Sequence, residues 1–333
     1  MKTKICVAGN MIVDMLYSVR GLPGPGELTT IDDPILKSTG GAVCNVLGDL
    51  ALIDRTLSLA ALGRVGSDPE GDFVLDSFSP YKNVDLSMVK REGKTSFTAV
   101  MADQISMERT FFHYRGANAA FCEQDINLEK IAGSFLHIGY ILLLDALDRE
   151  DSDYGTKMAR LLFHAKEHGI KTSVDVVSEA GDRFRRLVPP ALRYTDYCII
   201  NEVEAAQITG IPLRNGGGQL ITANLPQALQ TIRNLGAAGW VIVHYPEGGC
   251  GLDCRGLFVQ SQAIKLPPEA IKGKVGAGDA FCAGVLYMAS QNGSLEEGLE
   301  LGNAAAAASL LQPGAVEGMK CADELKKLRP VYG

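Results

Sequence analysis

The sequence predicts an α/β protein, with a mainly parallel central sheet covered by helices on both faces and a small separate β-sheet beside it. Three observations lead there. From Ser134 onward, short unbroken apolar runs (Phe135 to Ile138, Thr172 to Val177, Tyr197 to Ile200, Trp240 to His244) alternate with segments of amphipathic helical pattern. Strands buried on both faces read as continuous apolar runs, and the helices between them carry the chain back to the next parallel strand. Between Met15 and Lys37, and again between Thr95 and Arg115, the pattern changes to short β-type pieces broken by proline, glycine or polar turns. Finally, 333 residues with 46% hydrophobic and 21% charged side chains can bury one large core, so a single domain over 1–333 is expected, with the small sheet (about 15–37 and 95–115) inserted in it.

Taken in order, Lys4 to Ala8 reads as a buried strand running into Gly9-Asn10-Met11-Ile12-Val13-Asp14. An acid just past a first strand lies where open α/β sheets bind ligands, although Asp14 taken alone reads first as a turn or cap residue. Gly40-Gly41 opens a helix to about Ile53; Gly41 allows close backbone approach, and Asn45 lies near the first turn with an amide able to bond hydroxyls. Leu57 to Leu62 is a strand, and Asp68-Pro69 has the N-cap and first-turn proline of a helix start. Thr95 to Met101 and Glu108 to Tyr114 form a hairpin around the polar turn Asp103 to Ser106. Arg109 and Arg115 in or beside it are either solvated sheet charges or contacts from a lid to a ligand. Helices are expected over Tyr154 to His168, Glu202 to Thr209, Pro226 to Leu235, Ala280 to Ser290 and about Leu295 to Leu311.

The net charge of −7 argues against broad nucleic-acid or anionic-membrane binding but leaves room for a local phosphate site. Met1 is not followed by a basic-then-apolar leader, and no apolar run reaches membrane-spanning length. The eight cysteines are scattered through apolar surroundings, and Cys250 and Cys254 have no partner pair to complete a zinc site. A reduced, cytoplasmic protein is expected.

The chemistry concentrates in Lys274-Val275-Gly276-Ala277-Gly278-Asp279-Ala280-Phe281. A glycine-rich turn at a helix start points several backbone N–H groups at one spot, where the helix dipole adds positive potential, so the spot suits an anion. Asp279 beside it is not placed to bind that anion. It suits removal of a proton from a hydroxyl that attacks the anion, as phosphoryl transfer to an alcohol requires. By itself the stretch could equally be a helix start with an acidic cap, and the third glycine of a dinucleotide fingerprint is missing. Asn201-Glu202-Val203-Glu204 opens another helix at a strand end; its acids suit the helix dipole, and the alternative is that Asn201 touches phosphate oxygens while Glu204 orients a hydrated magnesium ion.

Together these segments resemble the ribokinase / phosphofructokinase-B family of carbohydrate kinases, in the family's order from Gly9 to Gly314. Gly40-Gly41…Asn45…Leu62-Gly63…Val65-Gly66…Asp68…Gly71 is similar to its first signature and Val275 to Phe281 to its second. Asn201-Glu202-x-Glu204 matches its phosphate and magnesium motif, and Asn303-Ala304-Ala305-Ala306…Gly314-Ala315 its nucleotide-side segment. The resemblance implies a ribokinase-like three-layer α/β/α fold with a small β lid, and transfer of the γ-phosphate of ATP, with Mg²⁺, to a sugar hydroxyl. Asp279 would be the base and Gly276, Ala277 and Gly278 the anion hole. Asp14, Gly41 and Asn45, with Arg109 from the lid, would hold the sugar; Asn201, Glu204, His244, Gly249 and Asn303 would lie on the nucleotide side, with Glu204 reaching the metal through water. In several members the lid is also a dimer surface, so a homodimer through it is the implied assembly. A nucleoside or sugar-phosphate kinase of the same fold, or a non-catalytic sugar-binding sensor, are the alternatives. Two departures leave potassium activation undecided: Gly273 and Val275 stand where the family often has Asp and Thr, and the Asp helps bind a monovalent cation beside the anion hole. Lys274 supplies a fixed positive charge there. A third departure is His244 to Gly249, which replaces Thr-x-Gly-x-x-Gly and puts Pro246, without an N–H, in the nucleotide loop.

Overall fold

Apolar runs long enough for a strand but too short for a buried helix make up the centre of the molecule. The computed structural model describes residues 4–332 apart from 33, 107, 179 and 180. In chain order its first half contains β1 (Ile5–Gly9), β2 (Ile12–Val19), β3 (Leu36–Gly40), α1 (Ala42–Ile53), β4 (Leu59–Val65), α2 (Pro69–Asp76), β5 (Val84–Arg91), β6 (Ser96–Asp103), β7 (Arg109–Tyr114) and β8 (Phe135–Ile141). The pair β9 (Glu150–Asp151) and β10 (Gly155–Thr156) leads into α3 (Lys157–Glu167), β11 (Lys171–Val176), α4 (Arg183–Leu192), β12 (Tyr197–Asn201), α5 (Glu202–Thr209), α6 (Leu225–Asn234) and β13 (Trp240–Tyr245). The chain then forms β14 (Gly248–Leu252), β15 (Phe258–Gln262), α7 (Ala277–Ser290) and α8 (Leu295–Leu310).

The large sheet has the order β15-β14-β13-β12-β11-β8-β1-β4-β5, parallel from β5 to β13 and antiparallel at β14 and β15. Alternate residues of β1 enter separate cores: Ile5 and Val7 pack on the side of α1, α7 and α8, Cys6 and Ala8 on the side of α3 to α6. The fold is an α/β arrangement with a large mainly parallel sheet and a small one, β3-β2-β6-β7, as the sequence predicts. After β1 the chain builds outward through β4 and β5, then crosses back to β8 on the other side of β1. That reversal opens a crevice at the C-terminal ends of β1 and β8, where ligands bind in such sheets. Asn10, Tyr140, Asp175, Asn201 and His244 all stand at this edge, with Gly9 level with Gly139 and Asn201 level with His244.

Several elements differ from expectation for local reasons. The helix expected from Tyr154 starts at Lys157, because Gly155 and Thr156 pair with β9 and the Thr156 hydroxyl caps the Ala159 N–H at 3.1 Å. The sequence pattern missed α4, which holds Pro189 and Pro190; burial of Phe184, Leu187, Val188, Ala191 and Leu192 along one stripe outweighs the prolines. Charged β5 is an edge strand, and β14, Gly-Gly-Cys-Gly-Leu, has poor strand propensity but is closely packed under α7 and α8. What was expected to be a nucleotide loop at His244 to Gly249 is a hairpin whose two-residue turn is Pro246-Glu247, with Tyr245 opposite Gly248. Pro246 therefore removes no ladder hydrogen bond.

Candidate active site

The start of α7 is the centre of the site. Gly276 is the N-cap, with φ +78°, and a Cβ there would come within 2.6 Å of the Ala315 Cβ, so only glycine makes this turn without strain. Asp279 follows in the first turn, 8% exposed. Both carboxylate oxygens are held: Asn45 Nδ2 donates to Oδ2 at 2.8 Å and the Tyr140 hydroxyl donates to Oδ1 at 2.7 Å. Burial raises the Asp279 pKa from its ordinary value, and these two donors pull it back. Tyr140, pushed well up by burial and by Asp279, stays a neutral donor. Its own amide donates to Asn10 Oδ1 at 2.7 Å, which ties β8 to the turn after β1.

Tyr140 had no signal in the sequence beyond its place at a strand end, yet it touches Asp279. Replacing it with Phe removes one charge-assisted hydrogen bond from the ionised form of Asp279, so that form should lose ground to the protonated one. The acid limb of the kcat/KM–pH profile is expected to move up by about one pH unit in Tyr140→Phe, since such a bond is worth roughly 1.5 kcal/mol or more. An unmoved limb would show that the phenol does not set the base.

On the side of the small sheet, one register line carries Ser38, Asp14, Thr98 and His113 across four strands. Thr98 hydrogen-bonds Asp14, and its Oγ1 lies 3.1 Å from His113 Nδ1. Burial lifts Asp14 to about 6, the Thr98 bond opposes this, and Asp279 adds to it. Asn118, buried in Gly116-Ala117-Asn118, clamps both the N–H and the carbonyl of Met11 and so fixes the turn into β2. Gly41 has φ +86° and packs against the Asn10 carbonyl, which lets α1 start there and aims Asn45 at Asp279. Asn10 Nδ2 and Asn45 Oδ1 are buried without partners, one donor and one acceptor near Asp279. Arg109 is not in this group. It lies exposed opposite Ala102, four residues along β7 from His113. Arg115 instead donates to the Leu142 carbonyl at 2.7 Å and pairs with Asp145 at 3.4 Å.

On the other side, a cavity of about 340 Å³ is lined by Tyr140, Asp175, Ser178, Glu204, Asp279 and Lys274, among others. It shares Asn201, His244, Lys274, Ala277 and Gly278 with a more apolar cavity of about 560 Å³ that reaches Ile264, Phe281 and Asn303. Asn201 caps α5 through its Oδ1, and Glu204 returns a bond from the Asn201 N–H at 2.9 Å. Glu204 Oε1 also accepts from Ser178 and from Asn201 Nδ2. The helix-capping role and a place on the cavity wall thus coincide. His244, pushed down to about 4 by burial, is neutral and lies against the Phe281 ring at 5.0 Å. Gly249 is corrected: it faces Phe281 and Leu299 from within β14, and Gly248 lines the cavity in its stead. Asp175 at the end of β11, missed because it hid in an apolar run, is raised well above the ordinary carboxylate range by burial and by Glu204 and Asp279.

Burial lifts Glu204 as well, to about 7, against the opposing bonds from Asn201 and Ser178. Asp14, Asp175, Glu204 and Asp279 therefore bind protons more tightly folded than unfolded. Their contribution is complete below the unfolded pKa of about 4 and is lost as pH rises through the raised folded values, which are about 6 for Asp14 and about 7 for Glu204. Thermal stability without ligand is expected to fall between pH 5.5 and 8; a Tm rising across that window would contradict the crowding of these acids.

A carboxylate in the first turn of a helix, beside backbone amides suited to an anion and between a polar and an apolar cavity, is an arrangement that suits a phosphotransferase with an alcohol acceptor. The pfkB family carbohydrate kinase pattern matches residues 2–321, so the chain belongs to that family. It is 22% identical over 335 residues to the ribokinase of Staphylococcus aureus, covering 98% of this chain and all of that one. It is 24% identical over 221 residues to a bifunctional ribokinase/ribose-5-phosphate isomerase A of Fructilactobacillus sanfranciscensis, of whose length this match covers 38%. Among solved structures, the Arabidopsis thaliana ribokinase complexed with ribose and ATP superposes with a TM-score of 0.80 at 21% identity, covering 99% of both chains.

Proposed function

We propose that the chain transfers the γ-phosphate of ATP to a hydroxyl, of the hydroxymethyl kind, on a sugar. The observation that carries this is Asp279, held by Asn45 and Tyr140 beside the Gly276-Ala277-Gly278 amides. The acceptor oxygen attacks the γ-phosphorus and gives its proton to Asp279. An O–P bond forms, the bond to the β-phosphate breaks, and its electron pair leaves on ADP. The three amides face the phosphoryl oxygens, Asp14, Asn10 and Asn45 meet sugar hydroxyls, and the larger cavity takes the nucleoside between Ile264, His244 and Asn303. The small sheet is the lid that keeps competing water out.

Asp175 and Glu204 suit a hydrated Mg²⁺: every Glu204 oxygen is already bonded, and no group of three His, Cys, Asp or Glu among the described residues could hold a metal directly. When bound with ATP, that ion neutralises phosphate charge. No helix among the described residues is long and apolar enough to cross a membrane, and a cytoplasmic location is proposed with it. Leu36, Phe111 and Phe112 are exposed on the small sheet and support a homodimer there; a sedimentation mass of one chain would remove that idea.

A coupled ADP-release assay with Mg-ATP against ribose, fructose, 2-keto-3-deoxygluconate, phosphorylated fructoses and nucleosides tests the function. Turnover on a neutral sugar is expected, and silence across the panel with sugar-induced thermal shifts would favour a sensor. A second reading, an acceptor that also carries an anionic group, is favoured by Arg115 and Arg183. Both donate to the Leu142 carbonyl, two residues beyond Tyr140.

A further inference from the structure

The cavity beside the base has a charge problem. Asp175, Glu204 and Asp279 line it, and ATP would bring a polyanionic triphosphate next to them. Backbone amides offer only partial charges, His244 is neutral, and Arg214 is engaged with Glu202 and Glu247 at 2.8 Å each. Among the described residues lining either cavity, the one ammonium is Lys274, and it lines both. It is exposed and has no carboxylate partner among the described residues, two positions before the Gly276 cap.

Neither Gly273 nor Val275, where the resembled family often has Asp and Thr, brings a side-chain oxygen for a monovalent cation. A Cβ at Gly273 would lie 2.7 Å from the Pro313 carbonyl oxygen and 2.8 Å from that of Gln312, so no carboxylate can stand there without moving the backbone. Val275 offers no oxygen in its side chain. Beyond the charge that Mg²⁺ would bring with ATP, Lys274 is the one full positive charge of a side chain that lines both cavities among the described residues.

We infer that Lys274 is a catalytic residue of this kinase: its ammonium binds the β- and γ-phosphate oxygens of ATP at the junction of the two cavities and takes the place of a monovalent cation. This rests on the kinase reading above. A strongly hydrated point charge on a flexible stem can follow the γ-phosphoryl group as it moves towards the acceptor, and its charge is worth more as the lid expels water. A surface lysine with no such role would leave all of the following unchanged.

Two measurements test it. Calorimetry on the whole protein compares AMP with a non-hydrolysable ATP analogue, in Mg²⁺, for wild type, Lys274→Met and Lys274→Arg. Met is expected to weaken the analogue about 30- to 100-fold with AMP unchanged, and Arg to recover most of it. Equal loss for AMP and the analogue, which would mean that Lys274 merely holds the loop, overturns the inference, as does no loss. Turnover of the wild type is expected to vary less than about twofold when K⁺ is replaced by tetramethylammonium at fixed ionic strength, and tenfold activation by K⁺ overturns it. The calorimetric arm needs no turnover, so a wild type that phosphorylates nothing would sink the kinase reading without deciding the role of Lys274.

Discussion

Asp279→Asn is expected to lower kcat by about 10²–10⁴-fold while leaving sugar affinity within about threefold, because it deletes a general base and little else. The substitution is nearly isosteric, and its hydrogen bonds can be kept: the new carbonyl accepts from Asn45 Nδ2, while the new amide donates to Tyr140, whose hydroxyl turns to accept. The pH profile gives a second check. In the wild type, burial raises the Asp279 pKa, so activity is lost as pH falls through that raised value and a protonated carboxyl can no longer take a proton. The residual activity of the variant should lack that limb. A kcat within tenfold of wild type would remove Asp279 from the mechanism, and lost sugar affinity would recast it as a binding residue.

The legibility of this site in the sequence followed what each residue does locally. Asn201 and Glu204 form a capping box, a local device with a fixed spacing, and α5 lies over the range that the pattern predicted. The glycine turn before Asp279 is local in the same way. Tyr140 and Asp175 could not be found so. Each stands at the end of an apolar strand, and its meaning depends on parallel neighbours 35 or more positions away, such as the pairing of Ile138 with Val174. Asp175 did leave a trace, since an acid inside a buried strand demands a partner or a raised pKa. Arg109 lies apart from the other candidate residues, and the pattern could not show that. Period-2 alternation puts it on the same face as His113 and Phe111, but alternation does not say how far along the strand the pocket ends. Register supplied that: the line through Asp14 and Thr98 meets β7 at His113.

Gly276→Ala is expected to lower kcat by about 10²–10³-fold, the cost of misplacing one donor of an oxyanion hole, with little change in sugar KM. Two physical terms act together. A non-glycine residue at φ +78° is strained by roughly 1–2 kcal/mol, and the new methyl would stand 2.6 Å from the Ala315 Cβ and 3.0 Å from its carbonyl oxygen. The turn can relieve that contact only by moving away from Ala315, which carries the amides of Ala277 and Gly278 off their common target. Gly278→Ala separates placement of the hole from the general effect of an added methyl. Gly278 lies inside the first turn of α7, where alanine is a better helix former, and its Cβ would meet only the edge of the His244 ring, at 3.3 Å. That variant is expected to lose no more than about tenfold, since the ring can shift by a few tenths of an ångström while the amides stay in place. Both variants should still fold, with Tm lowered by less than about 5 °C in Gly276→Ala. If Gly278→Ala proves the more damaging of the two, the catalytic demand lies on His244 and the nucleotide side, and the left-handed cap is not what organises the anion hole.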